Sequence, residues 1–217
     1  QSLVLIVFMG GMALGSGLCG RWSTRIANPL LGYALVEAVI GVLALAFHEM
    51  FVAATDFTYA AILPALGAEW LALGAKIGVS CLLILPPSVL LGMTFPLMSA
   101  GLVRAHPSSS GESIAMLYFT NSLGAVAGVL ASGFLLIAWV GLPGTLRTAG
   151  VLNLALAATV WLLARPARLA PLAPASGGTS GGERLLLAVA FFTGLGSFIY
   201  EISWIRMLSL VLGSSTH

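Results

Sequence analysis

The residues best equipped for chemistry in this chain are ionisable groups set inside long apolar stretches: Glu37, Lys76, Glu201 and Arg206, with Arg147 near the start of another stretch. A charge in hydrocarbon costs at least ~2.5 kcal/mol on insertion scales, so such groups face protein or water and find partners. Glu37 lies deep in its stretch. Lys76 and Arg147 are near enough to a stretch end for their heads to reach lipid headgroups. Glu201 and Arg206 are five residues apart, which turns them roughly 140° from each other on a helix. They are a poor pair within one helix and are expected to bind other helices, with Glu37 a partner for Arg206. Structural ion pairing is the plainer reading, and a proton or solute pathway is the sharper one. Asn121 and Asn153 have the donors and acceptors for hydrogen bonds between helices, and Tyr200 and Trp204 share a helix face.

Other chemistry is excluded. Gly15-Ser16-Gly17-Leu18-Cys19-Gly20 spells G-x-G-x-x-G, but a dinucleotide site needs it between a strand and a helix start, and here it closes an apolar stretch. Its small residues suit close helix packing, as do the GxxxG pairs Gly11/Gly15 and Gly124/Gly128. Cys19 and Cys81 fall inside apolar segments and read as small buried residues. His48 and His106 belong to no constellation. No catalytic residue, metal site or cofactor is expected in this chain.

The elements that position these residues are set by composition. The chain is 59% hydrophobic and 7% charged with mean hydropathy +1.06, whereas soluble proteins average about 25% charged. It reads as an all-α polytopic membrane helix bundle. A spanning helix needs ~20 apolar residues, and about six transmembrane stretches are predicted at residues 3–18, 29–51, 71–103, 114–140, 145–164 and 185–212. Pro86, Pro87 and Pro96 interrupt the third and predict a kink. A net charge of +2 gives no case for nucleic acid.

Arg21, Arg25, Arg104, Arg165, Arg168 and Arg184 fall in alternate loops. The opposite loops, 52–70 and 141–143, hold no lysine or arginine, but Asp56 and Glu69, with Glu49 at the edge. The excess of basic residues places the arginine loops in the cytoplasm of a bacterial inner membrane. Segment 52–70, broken by Asp56, Pro64 and Gly67, is expected at the outer interface. Segment 165–184, rich in Pro, Ala, Gly and Ser, is expected to be a cytoplasmic linker. It separates five spans (1–164) from one (185–217). The opening Gln1 and the close at His217 suggest a piece of a longer protein.

Several strings in order resemble a known family: FMGGMALGSGLCGR, GMTFPLMSAGLVR, LYFTNSLGAVAGVLASGFLL, GLPGTL and YEISWIRMLSLVLGSS. They are similar to the membrane region of membrane-integral spermidine synthase-like proteins, also described as fused major-facilitator/spermidine synthase proteins. The resemblance implies two major-facilitator-like six-helix repeats, each opened by a tyrosine–glutamate–tryptophan–arginine helix. Tyr200, Glu201, Trp204 and Arg206 match that motif and would open the second repeat. It also implies polyamine-type aminopropyl transfer in a cytoplasmic domain not contained in this chain.

The expected function is therefore a membrane anchor or scaffold. The alternatives are half of a small-solute transporter and a structural subunit of a larger membrane complex. The stretch around Arg21 lacks the aspartate of the major-facilitator loop, which weakens the transporter reading. The expected partners are the lipid bilayer, further helices of the same protein and membrane-complex subunits.

Overall fold

The computed structural model describes residues 2–23 and 25–165, together with Val189, Phe192 and Gly196. The chain divides into two compact units, Gln1–Leu172 and Ala173–His217, and the first is described below. Its helices are α1 Ser2–Trp22, α2 Pro29–Phe57, a short α3 Leu63–Ala65, α4 Glu69–Ala105, α5 Ser110–Ala131 and α6 Ile137–Ala164. A π-helical turn, Thr58–Ile62, joins α2 to α3, and another, Ser132–Leu136, joins α5 to α6. No strand occurs among the described residues. Counted as continuous stretches, four helices are long and apolar enough to cross a membrane: Leu3–Trp22, Pro29–Ala65, Glu69–Ala105 and Pro107–Ala164. That is compatible with an integral membrane protein.

Local chemistry explains where helices start and stop. Asn28 takes an extended conformation before Pro29, and its side-chain oxygen accepts from the amides of Leu30 (3.1 Å) and Leu31 (3.3 Å). An Asn cap with proline next is a strong helix start, worth about 1 kcal/mol. Helical structure then continues past Asp56 to Ala65, and the break comes at 66–68. The expected irregular interfacial segment at 52–70 is thus mostly helix. No glycine or proline lies between Pro29 and Pro64 except Gly32 and Gly41, both well inside α2. Helix α4 is assigned unbroken across Pro86, Pro87 and Pro96.

The fourth stretch is the unusual one. Arg104, three residues before its near end and in α4, bonds Ile26 and Ala27. Ala164, at its far end, bonds the adjacent Asn28. A straight helix of 58 residues would reach about 87 Å, so this one must reverse. It does so at Gly141, whose φ of 66° and ψ of −179° lie outside the helical region. That backbone conformation is essentially restricted to glycine. The reversal falls inside the 141–143 loop expected from sequence.

Packing follows from small residues. A Cβ on Gly15 would overlap the Val89 carbonyl, and one on Gly92 would overlap that of Met12. Helices α1 and α4 therefore touch backbone to backbone. Gly41 and Gly150 do the same for α2 and α6: a Cβ on either would sit 2.9 Å from the other's carbonyl oxygen. The contacts of Gly32 with Leu97 and of Gly101 with Leu30 run α2 antiparallel to α4. Cys19, Tyr33, Val36, Ile40 and Leu97 form the buried core where α1, α2 and α4 meet.

Candidate functional site

These contacts gather the end of α1, the start of α2, the end of α4 and the end of α6 at one end of the unit. Arg21, Arg25, Arg104 and Arg165 therefore cluster there. Arg104 is buried. Its Nη1 donates to the carbonyls of Ile26 (2.8 Å) and Ala27 (3.2 Å), and its Nη2 to that of Ser23 (3.0 Å). The turn between α1 and α2 is wrapped around this guanidinium. Charge-assisted bonds to carbonyls that no helix can satisfy give a fixed local geometry. Asn28 complements it by donating from Nδ2 to the Ala164 carbonyl at 3.1 Å while capping α2. Arg165 stacks over Trp161 at 5.2 Å.

The other end carries Glu49 and Arg147, joined at 2.7 Å between α2 and α6. Both side chains are more than half exposed. Arg147 thus finds a carboxylate rather than only headgroups.

The sequence candidates do not converge on one site. Glu37 is buried in α2, one turn after Tyr33, which faces its carboxyl. Lys76 is exposed and lies 5.5 Å over the Tyr59 ring, a cation–π contact near the start of α4. Asn121 is exposed on α5 and forms no hydrogen bond among the described residues. Its expected role between helices is therefore not met there, because it lies on an exposed face of α5, whose contact with α4 is made elsewhere, where Tyr118 meets Phe95 edge-on at 6.4 Å. Gly124 and Gly128 likewise have nothing within 4 Å. Tyr200, Glu201, Trp204 and Arg206 lie outside the described residues, as do Arg168, Arg184 and all of the 185–212 span except Val189, Phe192 and Gly196.

Cys19 is fully buried, Cys81 is half-buried, and both are free thiols. The G-x-G-x-x-G string lies within α1, where Gly15 packs on α4 while Gly17 and Gly20 meet open space. No group of three metal-ligating side chains occurs among the described residues.

Two residues of consequence were missed by sequence reasoning. Asn28 before Pro29 is a readable cap signal. The clamp by Arg104 had no such signal, because its partners are main-chain carbonyls nearly eighty residues away.

A cleft of about 490 Å³ lies between the end of α4 and the start of α5, with His106, Ser109, Glu112 and Ser113 at its polar end. Leu102, Met116 and Leu117 form its apolar part. Comparison of the chain with family models, with curated proteins and with solved structures finds no match.

Proposed function

We propose that the chain is the membrane-embedded region of a spermidine synthase-like protein, acting as anchor or scaffold. The ordered motif strings support this, from FMGGMALGSGLCGR to YEISWIRMLSLVLGSS. The observation that counts most is the backbone-to-backbone packing at Gly15/Val89, Met12/Gly92 and Gly41/Gly150, which suits a rigid platform better than a moving gate. In this reading Gly141 divides two crossings, the 185–212 segment adds a sixth, and the arginine-bearing end faces the cytoplasm. Polyamine-type chemistry would belong to a cytoplasmic domain held by this platform.

A half-transporter is the second reading, and the buried carboxyl of Glu37 beside Tyr33 is what favours it. Glu37→Gln and Arg206→Gln in the intact protein, reconstituted in proteoliposomes, separate the two. The scaffold predicts that both variants leave labelled-amine uptake at the protein-free background and act, if at all, on assembly. Uptake well above background that collapses in Glu37→Gln would establish the transporter instead.

A further inference from the structure

The cleft between α4 and α5 gathers polar side chains at one end and apolar ones beyond them. Many helix hydroxyls turn back onto their own backbone, among them Ser80 onto Lys76, Ser88 onto Ile84, Ser122 onto Tyr118, Ser132 onto Gly128 and Thr159 onto Ala155, whereas Ser99 Oγ is buried without a partner among the described residues. Turning back is the usual way a hydroxyl is satisfied in an apolar medium. Ser109, Ser113 and Thr120 line the cleft and make no such bond among the described residues. The side chains of Glu112 and His106 at the same mouth also have no hydrogen-bond or ion-pair partner among the described residues. The cleft therefore holds donors, acceptors and one carboxylate whose side chains have no use among the described residues.

Its layout is that of an amphiphile. The polar groups sit at the arginine-bearing end of the unit, where the helices leave the apolar layer. Leu102, Met116 and Leu117 continue from them along the helices. Thr120 is eight residues beyond Glu112, about 12 Å along the axis. A lone carboxylate calls for a cation, and His106 with two serine hydroxyls can donate to a phosphate.

We propose that this cleft binds one aminophospholipid of the surrounding membrane. Its ammonium pairs with Glu112, and its phosphate accepts from His106, Ser109 and Ser113. One acyl chain lies along Leu102, Met116 and Leu117 and runs on past Thr120. A primary ammonium both donates hydrogen bonds and carries charge, whereas a trimethylated one only carries charge. Selectivity should therefore fall as the amine is methylated.

The test is native mass spectrometry of the purified protein after exchange into micelles containing equal amounts of phosphatidylethanolamine, phosphatidylcholine and phosphatidylglycerol. Phosphatidylethanolamine should be retained at least about five-fold over phosphatidylcholine. The mono- and dimethylated headgroups should be intermediate. Glu112→Gln should bring the ratio close to one while leaving the protein folded. Equal retention of all three lipids overturns the proposal, as does preference for phosphatidylglycerol or a preference that survives Glu112→Gln. So does loss of all lipid because a second protein helix fills the cleft. If Glu112→Gln fails to fold, the methylation series on the unaltered protein decides: a flat series is a refutation.

Discussion

Pro29–Ala65 and Pro107–Ala164 have the same mean hydropathy, 2.2, in their apolar windows, yet a third of the first window is buried and none of the second. The contrast is not one of composition. Both stretches contain glycines, and both are apolar around most of the helix. In the first, Gly41 meets Gly150 and Gly32 meets Leu97. In the second, Gly150 is the one that meets Gly41, while Gly124, Gly128 and Gly133, before the reversal, meet nothing within 4 Å. Hydropathy says that a residue avoids water. It does not say whether protein or lipid covers it.

The two GxxxG pairs make the point in miniature. Gly11 and Gly15 press against Ser88, Leu85 and Val89, while Gly124 and Gly128 have the same spacing and no neighbour. Spacing offers a flat helix face, and only a partner at the right height turns it into an interface.

Substitutions can break or sharpen this comparison. Gly92→Leu should have the largest effect, because its side chain would be driven into the Met12 backbone. A cost of about 3 kcal/mol or more is expected, read as a lowered unfolding midpoint in detergent and loss of the monodisperse species. Arg104→Gln should come next. It removes charged donors from three carbonyls, at about 2 kcal/mol, and should speed proteolysis at the turn of residues 23–27. Gly128→Leu should move the unfolding midpoint by no more than about 0.5 kcal/mol. If Gly128→Leu proved as damaging as Gly92→Leu, α5 would be a packed helix in solution and the comparison would fail.

Much of this architecture was legible in the residues. The apolar stretches 3–18, 29–51, 71–103, 114–140 and 145–164 each fall on helix, and the 141–143 loop falls on the reversal at Gly141. Alternation of the arginine loops anticipated the clustering of Arg21, Arg25, Arg104 and Arg165 at one end. The helical continuation from Asp56 to Ala65 was not legible, because a single aspartate is too weak to stop a helix that has backbone bonds available on both sides. The site was less legible still. Glu37, Lys76 and Asn121 stood out because each is costly in hydrocarbon, but cost says only that a partner is needed. The partners found are an aromatic hydroxyl, an aromatic face and, for Asn121, none among the described residues. The buried role of Arg104 depends on carbonyls, which every residue has and no sequence pattern marks.

The reversal at Gly141 also bears on how the protein is made. Thr145 donates to the Gly141 carbonyl at 2.8 Å, so the carbonyl at the point of reversal is satisfied within the protein. In most helical hairpins a hydrated loop must be carried across the hydrocarbon before the second helix can settle. If residues 107–140 and 144–164 are separate crossings, as proposed above, only a few residues would have to be carried. On the proposed reading of two crossings, residues 107–164 would turn at the bilayer surface on Gly141, at the one position within α6 where the backbone leaves the helical region.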